Sequence, residues 1–521
     1  MATEPTAWWL TNAAVFYQVY PRSFADSNGD GVGDLDGVTQ HLDYLRWLGI
    51  DALWLNPVTV SPMADHGYDV ADPRDIDPLF GDLAALDRLL AAAHKRSIKV
   101  TMDLVPNHTS AAHPWFVEAL AAAPGSAARQ RYIFRDGRGP DGRLAPNNWV
   151  SVFGGPAWTR VNDTSGQWYL HLFDVSQPDL NWDNPEVFAD FERTLRFWLD
   201  RGVDGFRIDV SHGMAKPAGL PDMPEADMKL LAHRDDDPRF NNPGVHAIHR
   251  MIRAVMDDYP GAVSVGEVWV HDNVRFAEYL RPDELHLAFN FRLLQADFTA
   301  DEIRSAIDNS LAAVAAVGAD PTWALENHDV ERAVSRYGDG PTGLARAQAM
   351  ALVMLALPGV VFIYNGQELG LPNVELPDSA LQDPVWERSG HTDRGRDGCR
   401  VPMPWSGDAP PFGFSDNAHT WLPMPPEWST STVEHQTVDA ASTLSLYRKA
   451  LDIRRSQDEF TGKTVEWLDA SPDVLIFRRG GVVCALNTGE QPVALPAGEL
   501  LLASAEVIDA MLPPNAAAWL R

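Results

Sequence analysis

The stretch PEVFADFERTLRFWLDRGVDGFRIDV, residues 185–210, combines an amphipathic helix with the strand that follows it. Its first part places apolar residues at helical spacing and ends at Gly202, as helices commonly do. The second part, DGFRIDV, is a short apolar run interrupted by Arg207 and Asp209. A helix that leads directly into a buried strand is the repeating unit of a parallel α/β sheet.

Seven further runs have the same strand-like character, and helical runs separate most of them. One of these helical runs, DLAALDRLLAAAHKRS from Asp82, leads directly into the strand candidate KVTMDLV. About eight strand–helix units predict that the sheet closes into a barrel. In chain order the eight strand candidates are VFYQVYP, ALWLNP, KVTMDLV, DGFRIDV, VSVGEVW, LHLAFNF, PTWALEN and VVFIYNG.

Two regions interrupt this alternation. Residues 108–180 are rich in Gly, Pro, Asn and Trp and are too long for a bare loop, so they predict a small domain inserted after strand three. A last helix, STLSLYRKALDIRRSQ, precedes short β-like runs that predict an antiparallel domain over residues 460–521. The barrel is therefore expected to span residues 1–107 and 181–459.

Composition restricts the classes of function. The net charge of −30, from 72 acidic and 42 basic residues, argues against nucleic acid and anionic membranes as partners. The two cysteines lie far apart, the N-terminus lacks a signal-peptide pattern, and no run of 18 apolar residues occurs. We therefore expect a cytoplasmic protein with a small diffusible substrate, while its oligomeric state stays open.

Polar residues end several of the otherwise apolar strands. In a barrel of parallel strands, the carboxyl ends converge on one face, so these side chains are expected to share one pocket. They are Asp103, Asn107 and His108 after strand three, Arg207 and Asp209 at strand four, Glu267 at strand five, and His328 and Asp329 after strand seven.

Two carboxylates on neighbouring strands are the groups that glycoside hydrolysis requires. A retaining enzyme needs them about 5–5.5 Å apart, and neighbouring strands lie about 4.8 Å apart. Arg207, two residues before Asp209, is expected to keep Asp209 ionised as a nucleophile. The apolar run around Glu267 is expected to favour the protonated form of a general acid.

The segments DLVPNH, GFRIDV, GEVW and ENHD occur in this order and resemble the conserved segments of glycoside hydrolase family 13, the α-amylase family. The resemblance covers nearly the whole chain and implies a (β/α)8 TIM barrel with an inserted domain and a C-terminal antiparallel β-domain. It implies that Asp209 is the nucleophile, Glu267 the acid/base and Asp329 a third carboxylate that stabilises the transition state. The residues implied to contact the glucose unit at the cleavage point are His108, Arg207 and His328.

Further segments, including QPDLN, NNWVSVFGG, GYDV and RDGCRVPMPW, are similar to those of oligo-1,6-glucosidases and related α-glucosidases. This resemblance implies that Asp69 holds the terminal glucose and that Arg400 is its partner. Such an ion pair would close the pocket and enforce cleavage from chain ends. Tyr68 and Phe153 lie inside these segments and are the best candidates for direct sugar contact.

The loop DSNGDGVGD, residues 26–34, places oxygen-bearing residues at alternate positions, a pattern that suits hard cations. The terminal Glu of an EF-hand is missing, which argues against a calcium sensor. The resemblance to α-glucosidases implies one structural Ca²⁺ or Mg²⁺, and no organic cofactor is expected. The candidate ligands are the side chains of Asp26, Asn28, Asp30 and Asp34 and the carbonyl of Val32.

Together these features favour a retaining, exo-acting α-glucosidase that hydrolyses terminal α-linked glucose from short oligosaccharides of the maltose or isomaltose type. The alternative is a transglucosylase, because a sugar or alcohol hydroxyl can capture the same covalent intermediate. Val210, directly after the nucleophile, resembles α-1,6-type members, whereas SHGMAKP beyond it departs from their pattern. The preference between α-1,4 and α-1,6 linkages stays open at this point.

Overall fold

Eight parallel strands form the central sheet of the chain, described here by a computed structural model that covers residues 8–11, 14–163, 165–224 and 235–521. The strands are β1 Val15–Val19, β2 Ala52–Leu55, β3 Lys99–Leu104, β4 Gly205–Ile208, β5 Val263–Glu267, β6 Leu287–Phe289, β7 Thr322–Ala324 and β8 Val360–Tyr364. Neighbouring strands follow the order β6-β5-β4-β3-β2-β1-β8-β7. The Thr322 hydroxyl on β7 donates to the Ala288 carbonyl on β6 at 2.7 Å, which joins the two ends of the sheet.

Helices alternate with these strands, which confirms the predicted (β/α)8 barrel. Capping residues account for several of the helix ends. The side chains of Asp82 and Ser442 accept from amides in the first turns of the helices that follow them, and Gly202 ends the helix before it with a φ of 103°. The helices are α1 Leu42–Leu48, α2 Leu83–Lys95, α3 Pro185–Arg201, α4 Val245–Asp257, α5 Asn273–Glu278, α6 Ala300–Ala315, α7 Gly340–Ala356 and α8 Thr443–Ser456.

Large aromatic side chains fill the interior of the barrel. Phe16 of β1 stacks on Phe362 of β8 with ring centroids 4.7 Å apart, and Phe289 of β6 meets Phe362 edge to face at 4.5 Å. Trp54 of β2 packs against Phe289 as well. These four side chains are buried, and burial of each contributes on the order of 2–3 kcal/mol. The barrel is therefore a packed core, and a ligand can enter only at its ends.

The inserted region contains a three-stranded antiparallel sheet with strands Phe134–Asp136, Gln167–Leu170 and Trp158–Arg160, in that order. It also contains the helices Pro114–Ala121 and Ala127–Gln130, which the Gly- and Pro-rich composition did not predict. The first of these helices begins at Pro114, and the His113 side chain accepts from the Trp115 amide. A proline at the first helical position and a side-chain cap favour this short helix.

The C-terminal region is antiparallel, as predicted. Its five-stranded sheet consists, in spatial order, of Glu466–Trp467, Val474–Arg479, Val482–Asn487, Ala516–Leu520 and Leu500–Ala503. A two-stranded sheet pairs Val493–Ala494 with Met511–Leu512. The domain docks on helix α7, where Trp519 donates its indole N–H to the Leu352 carbonyl at 3.0 Å.

The remaining helices connect these parts. They are Trp8–Thr11, Leu35–Gln40, Arg292–Gln295, Ala333–Arg336, Pro384–Arg388 and Val433–Val438. A two-stranded ladder pairs Thr59–Val60 with Asp72–Ile76. Both cysteines, Cys399 and Cys484, are free and buried. Within the described ranges, none of the helices combines the length and apolar character needed to cross a bilayer.

Candidate active site

A single pocket collects polar side chains at the carboxyl ends of the barrel strands. It contains six of the predicted residues next to others from the inserted region and from the loops that follow β2, β4, β5 and β8. A wider cavity of about 850 Å³ shares four lining residues with it, Val152, Phe153, Asp329 and Arg396. The pocket is lined by Asp65, Tyr68, His108, Val152, Phe153, Phe173, Asp209, Val210, His212, Phe240, Glu267, Trp269, Asp329 and Arg396.

The guanidinium of Arg207 lies at the base of this pocket and contacts three carboxylates. Its Nη1 donates to Asp103 at 2.9 Å and to Asp209 at 2.6 Å. Its Nη2 lies 2.9 Å from Glu267 Oε2. Since one cation touches both Asp209 and Glu267, the ends of β4 and β5 bring these two carboxylates to one place.

Asp209 experiences opposing electrostatic effects. Burial raises the pKa of its carboxyl well above the usual value, and the nearby Glu267 adds to this, while the Arg207 guanidinium lowers it. The predicted contact between Arg207 and Asp209 is therefore present. The guanidinium favours the ionised form of Asp209 and burial opposes it, so the ionised state of Asp209 at neutral pH stays a prediction.

Val210, which follows Asp209, has a φ of 45°. This left-handed conformation is rare for a β-branched residue. It turns the Val210 amide toward Glu267, whose Oε2 accepts from it at 3.0 Å. The unusual backbone after β4 thus links the two candidate catalytic carboxylates.

Asp329 lies among two guanidinium groups and the imidazole ring of His328. Burial disfavours its charge, but His328, Arg396 and Arg400 outweigh burial and hold its pKa below the usual range. Its Oδ1 accepts from Arg396 at 3.2 Å and from Arg400 at 3.1 Å, and its Oδ2 lies 3.2 Å from the His328 ring. The third carboxylate is therefore held ionised at neutral pH.

Tyr68 and His328 form a continuous hydrogen-bonded network behind the pocket. The amide nitrogen of Gln18 donates to His328 Nδ1 at 2.8 Å, so the proton of the neutral ring is on Nε2. Nε2 lies 2.7 Å from the Tyr68 hydroxyl, and that hydroxyl donates to Asp103 at 3.0 Å. Burial lowers the pKa of His328 well below its usual value, which keeps the ring neutral.

His108 meets the pocket from the loop after β3. Its Nε2 lies 3.1 Å from the Tyr68 carbonyl and 3.2 Å from the side chain of Gln177, which belongs to the QPDLN segment. Burial lowers the pKa of His108 to about 4, so its ring is neutral at physiological pH. Gln177 also donates to Asp65 at 3.0 Å, and it thereby connects the insertion to the pocket wall.

The ion pair that closes the pocket joins other residues than the sequence predicted. Arg396 Nη2 donates to Asp65 at 2.8 Å, and both residues line the pocket. Asp69 is fully buried and accepts from the Ser61 hydroxyl and from the Ala64 and Asp65 amides. Its carboxylate therefore stabilises its own loop, and the predicted pairing of Asp69 with Arg400 was wrong.

Arg400 is equally committed elsewhere, since it donates to the His328 carbonyl at 2.8 Å and to Asp329. It acts on the pocket through those residues. Phe153 does line the pocket, and the guanidinium of Arg396 lies 5.0 Å from the centre of its ring. Residues that the sequence did not indicate are Asp65, Phe173, His212, Phe240, Trp269 and Arg396.

The loop of residues 26–34 has an orderly series of turns. Asp26, Asn28 and Asp30 each accept the amide two residues ahead, at 2.9, 2.9 and 2.8 Å. The Asp34 side chain accepts from the Ser27 amide. It also accepts from the Gly37 amide and thereby caps the helix Leu35–Gln40. Across the described residues, no group of three His, Cys, Asp or Glu side chains is arranged to hold a metal. The all-oxygen donor set of this loop nevertheless fits a hard cation.

Comparison with known proteins identifies the family. Residues 18–462 match the model of the α-amylase catalytic domain. The chain belongs to the α-amylase family. It is similar to a probable α-glucosidase of Rhizobium meliloti (strain 1021), with 38% identity over 505 residues that cover 93% of this chain and 90% of the relative.

Two further similarities refine this placement within the α-amylase family. The oligo-1,6-glucosidase of Heyndrickxia coagulans is 36% identical over 532 residues, which cover 94% of this chain and 93% of the relative. The crystal structure of the α-glucosyl transfer enzyme XgtA has a TM-score of 0.87 and 40% identity, and it matches over 99% of this chain and all of its own.

Proposed function

We propose that the chain is a retaining, exo-acting α-glucosidase that removes terminal α-linked glucose from short oligosaccharides. The observation that carries this proposal is the joint contact of Asp209 and Glu267 with Arg207. The guanidinium of Arg207 holds these two carboxylates together at the ends of adjacent strands, so that they can act on the two atoms of one glycosidic bond. The similarity to α-glucosidases and oligo-1,6-glucosidases supports the same substrate class.

The first step forms a covalent intermediate. An oxygen of the Asp209 carboxylate attacks the anomeric carbon while the bond from that carbon to the leaving oxygen breaks, and Glu267 gives its proton to that oxygen. Water then attacks the same carbon, its proton goes to Glu267, and Asp209 leaves as a carboxylate. Two inversions restore the α configuration, and Asp329 stabilises the positive charge of both transition states.

Cleavage from chain ends follows from the ion pair between Asp65 and Arg396. Both side chains are nearly inaccessible to solvent, and Arg396 also donates to Asp383 at 2.6 Å. This arrangement forms a fixed wall with acceptors and donors for the hydroxyls of a terminal glucose. A further sugar beyond that glucose would have to break the pair.

A transglucosylase is the second candidate function. The cavity of about 850 Å³ beside the pocket has room for an acceptor molecule next to the intermediate. The similarity to a structure described as an α-glucosyl transfer enzyme favours the same activity. A sugar or alcohol hydroxyl would then replace water in the second step.

The decisive experiment combines product analysis with one variant. Maltose, isomaltose, sucrose, trehalose, maltotriose and starch are incubated with the enzyme, and NMR follows the anomeric form of the glucose released. We expect α-glucose first, and glucosides of the acceptor if transfer competes. Asp209→Asn should lower turnover by several orders of magnitude without a change in melting temperature. First release of β-glucose would contradict the retaining mechanism.

We also propose that the loop of residues 26–34 binds one Ca²⁺ or Mg²⁺ ion as a structural element. Each carboxylate oxygen has two lone pairs, so Asp26 and Asp30 can accept an amide and still coordinate a cation. Calorimetric titration of EDTA-treated protein with each ion should show one site. Asp30→Ala should abolish it, whereas Asp36→Ala, just beyond the loop, should leave it unchanged. Absence of heat with both ions would contradict the proposal.

A cytoplasmic location is the remaining part of the proposal. Free, buried Cys399 and Cys484 suit a reducing compartment. Fractionation of cells that produce the protein, with activity measured in each fraction, tests it. Activity found outside the cytoplasmic fraction would contradict this location.

A further inference from the structure

The two oxygens of the Glu267 carboxylate have different surroundings. Oε2 accepts from the Val210 amide at 3.0 Å and lies 2.9 Å from Arg207 Nη2. Oε1 accepts from the indole Nε1 of Trp269 at 2.9 Å. Trp269 is half-buried and lines the catalytic pocket. Glu267 is thus held from two sides, with the indole on the side of Oε1.

This difference determines which oxygen can carry the acidic proton. A carboxylate oxygen has two lone pairs. Oε2 accepts from the Val210 amide and forms an ion pair with Arg207 Nη2, whose positive charge disfavours a proton on that oxygen. Among the described residues, Oε1 accepts from Trp269 alone, so it keeps a lone pair for a proton. The oxygen that Trp269 contacts is therefore the one that can exchange a proton with the substrate.

The indole of Trp269 is itself held in place. It stacks on Phe291 with ring centroids 4.3 Å apart and an angle of 28°. Phe291 stacks in turn on Phe289 of β6 at 5.2 Å and 16°. The stack continues into the barrel interior, where Phe289 contacts Phe362. The position of the indole N–H is thus fixed by the core of the barrel.

Phe291 also has a strained backbone, with a φ of 53°. Such a conformation is uncommon for a large side chain and persists where the surrounding structure enforces it. Here it places the ring directly against Trp269. Strain at this point is consistent with a requirement on the position of the indole.

We propose that Trp269 is a positioning residue that directs Glu267 Oε1 to the glycosidic oxygen and reserves Oε1 for the transferred proton. In the first step, the proton leaves Oε1 for the leaving oxygen as the glycosidic bond breaks. In the second step, Oε1 takes a proton from the attacking water. The Trp269 N–H remains in place in both steps and stabilises the carboxylate between them. This inference rests on the proposed retaining mechanism.

The test compares two substrates that differ in their need for an acid. In maltose, or in isomaltose if the enzyme prefers it, the leaving oxygen must be protonated. In α-glucosyl fluoride, the leaving group is a fluoride ion, which departs without a proton from Glu267. Trp269→Phe keeps an aromatic ring against Phe291 and removes the N–H. For this variant we expect kcat/KM to fall at least about 10-fold on the disaccharide, the loss expected for one hydrogen bond, and less than about 3-fold on the fluoride.

Trp467→Phe is the matched control. Trp467 also donates its indole N–H to a carboxylate, that of Asp308 at 2.7 Å, but it lies in the C-terminal domain. The Trp467→Phe substitution should leave kcat/KM on both substrates unchanged. Phe291→Leu weakens the stack and keeps the indole N–H, so we expect a smaller difference between the losses of kcat/KM on the two substrates. Melting temperatures verify that the variants are folded.

Two outcomes would overturn the assignment of Trp269. An equal loss on both substrates would mean that the residue supports the pocket in general, and no loss on either would mean that the hydrogen bond is dispensable. Wild-type protein that cleaves neither substrate would overturn the proposed function and this assignment with it. If the wild-type protein cleaves both substrates and Trp269→Phe lowers kcat/KM on both equally or on neither, only the assignment of Trp269 is overturned.

Discussion

Asp209 illustrates how burial changes the behaviour of one carboxyl group. Its pKa is raised, so it stays protonated up to a higher pH than an exposed aspartate. Only the ionised form can attack the anomeric carbon. We therefore expect the acidic limb of the pH profile of kcat/KM to lie above about pH 4, with activity lost as the pH falls through this limb.

The same pH series should include circular dichroism, so that loss of the nucleophile is distinguished from acid unfolding. Activity must fall while the far-UV spectrum is unchanged. An acidic limb at or below about pH 4 would show that Arg207 outweighs burial at Asp209.

Asp65 and Asp69 lie four residues apart, and the structure assigns them opposite roles. Asp65→Ala removes a carboxylate from the pocket wall and its pairing with Arg396, so we expect kcat/KM for disaccharides to fall about 10- to 100-fold. Asp69→Ala leaves loop amides without an acceptor, so its main effect should be a lower melting temperature. Enzyme kinetics and thermal unfolding of both variants measure the difference.

A larger kinetic effect from Asp69→Ala than from Asp65→Ala would restore the assignment made from the sequence. That assignment found both segments, around GYDV and around RDGCRVPMPW, but selected Asp69 and Arg400 where the structure pairs Asp65 with Arg396. Each selected residue lies four positions too far along the chain. A sequence shows that a loop carries an acid, whereas the direction of each side chain depends on the turn that the loop makes.

At the scale of elements, helix caps give a direct test of local stability. Ser442 accepts from the Ser445 amide in the first turn of α8, and Asp82 accepts from the Ala85 amide in α2. Replacement of either residue by alanine should lower the free energy of unfolding by about 1 kcal/mol and leave kcat unchanged. Thermal denaturation and kinetics of Ser442→Ala and Asp82→Ala measure both quantities.

Ser445→Ala provides the control for Ser442→Ala, because its amide still donates to the Ser442 side chain. A loss of stability below about 0.3 kcal/mol in Ser442→Ala would show that packing against the barrel fixes the start of α8 without the cap.

The barrel strands were predictable because their apolar runs are short, frequent and separated by helical repeats. All eight strand candidates coincide with β1 to β8. The helix Pro114–Ala121 was not predicted, since its surroundings are rich in Gly and Pro and its packing partners are distant in sequence. The ring of Phe116 in this helix packs against the ring of Tyr169 on a strand of the insertion, with ring centroids 5.0 Å apart. Such tertiary contacts override local composition.

At the scale of the whole molecule, the buried Arg479 joins the C-terminal domain to the barrel. Arg479 donates to the Ala356 and Leu357 carbonyls at the end of α7, at 3.2 and 2.7 Å. Arg454 of α8 donates to the Gly359 carbonyl just beyond them. The last carbonyls of a helix have no partner within the helix, and a cation near them is favourable.

Arg479→Met should therefore lower the stability of the entire chain while the chemistry at the far end of the barrel is preserved. The variant removes the Arg479 donor from two buried carbonyls, and only that of Leu357 keeps a hydrogen bond to Arg454, so we expect a cost of about 1–3 kcal/mol. Arg478→Met is the matched control, because Arg478 is half-exposed and pairs with Glu466 on the surface, a contact worth at most about 1 kcal/mol. Differential scanning calorimetry should show a lower melting temperature for Arg479→Met only, with one unfolding transition. If that variant instead gave two separate transitions, the C-terminal domain would unfold on its own, and the arginine contacts would not couple it to the barrel.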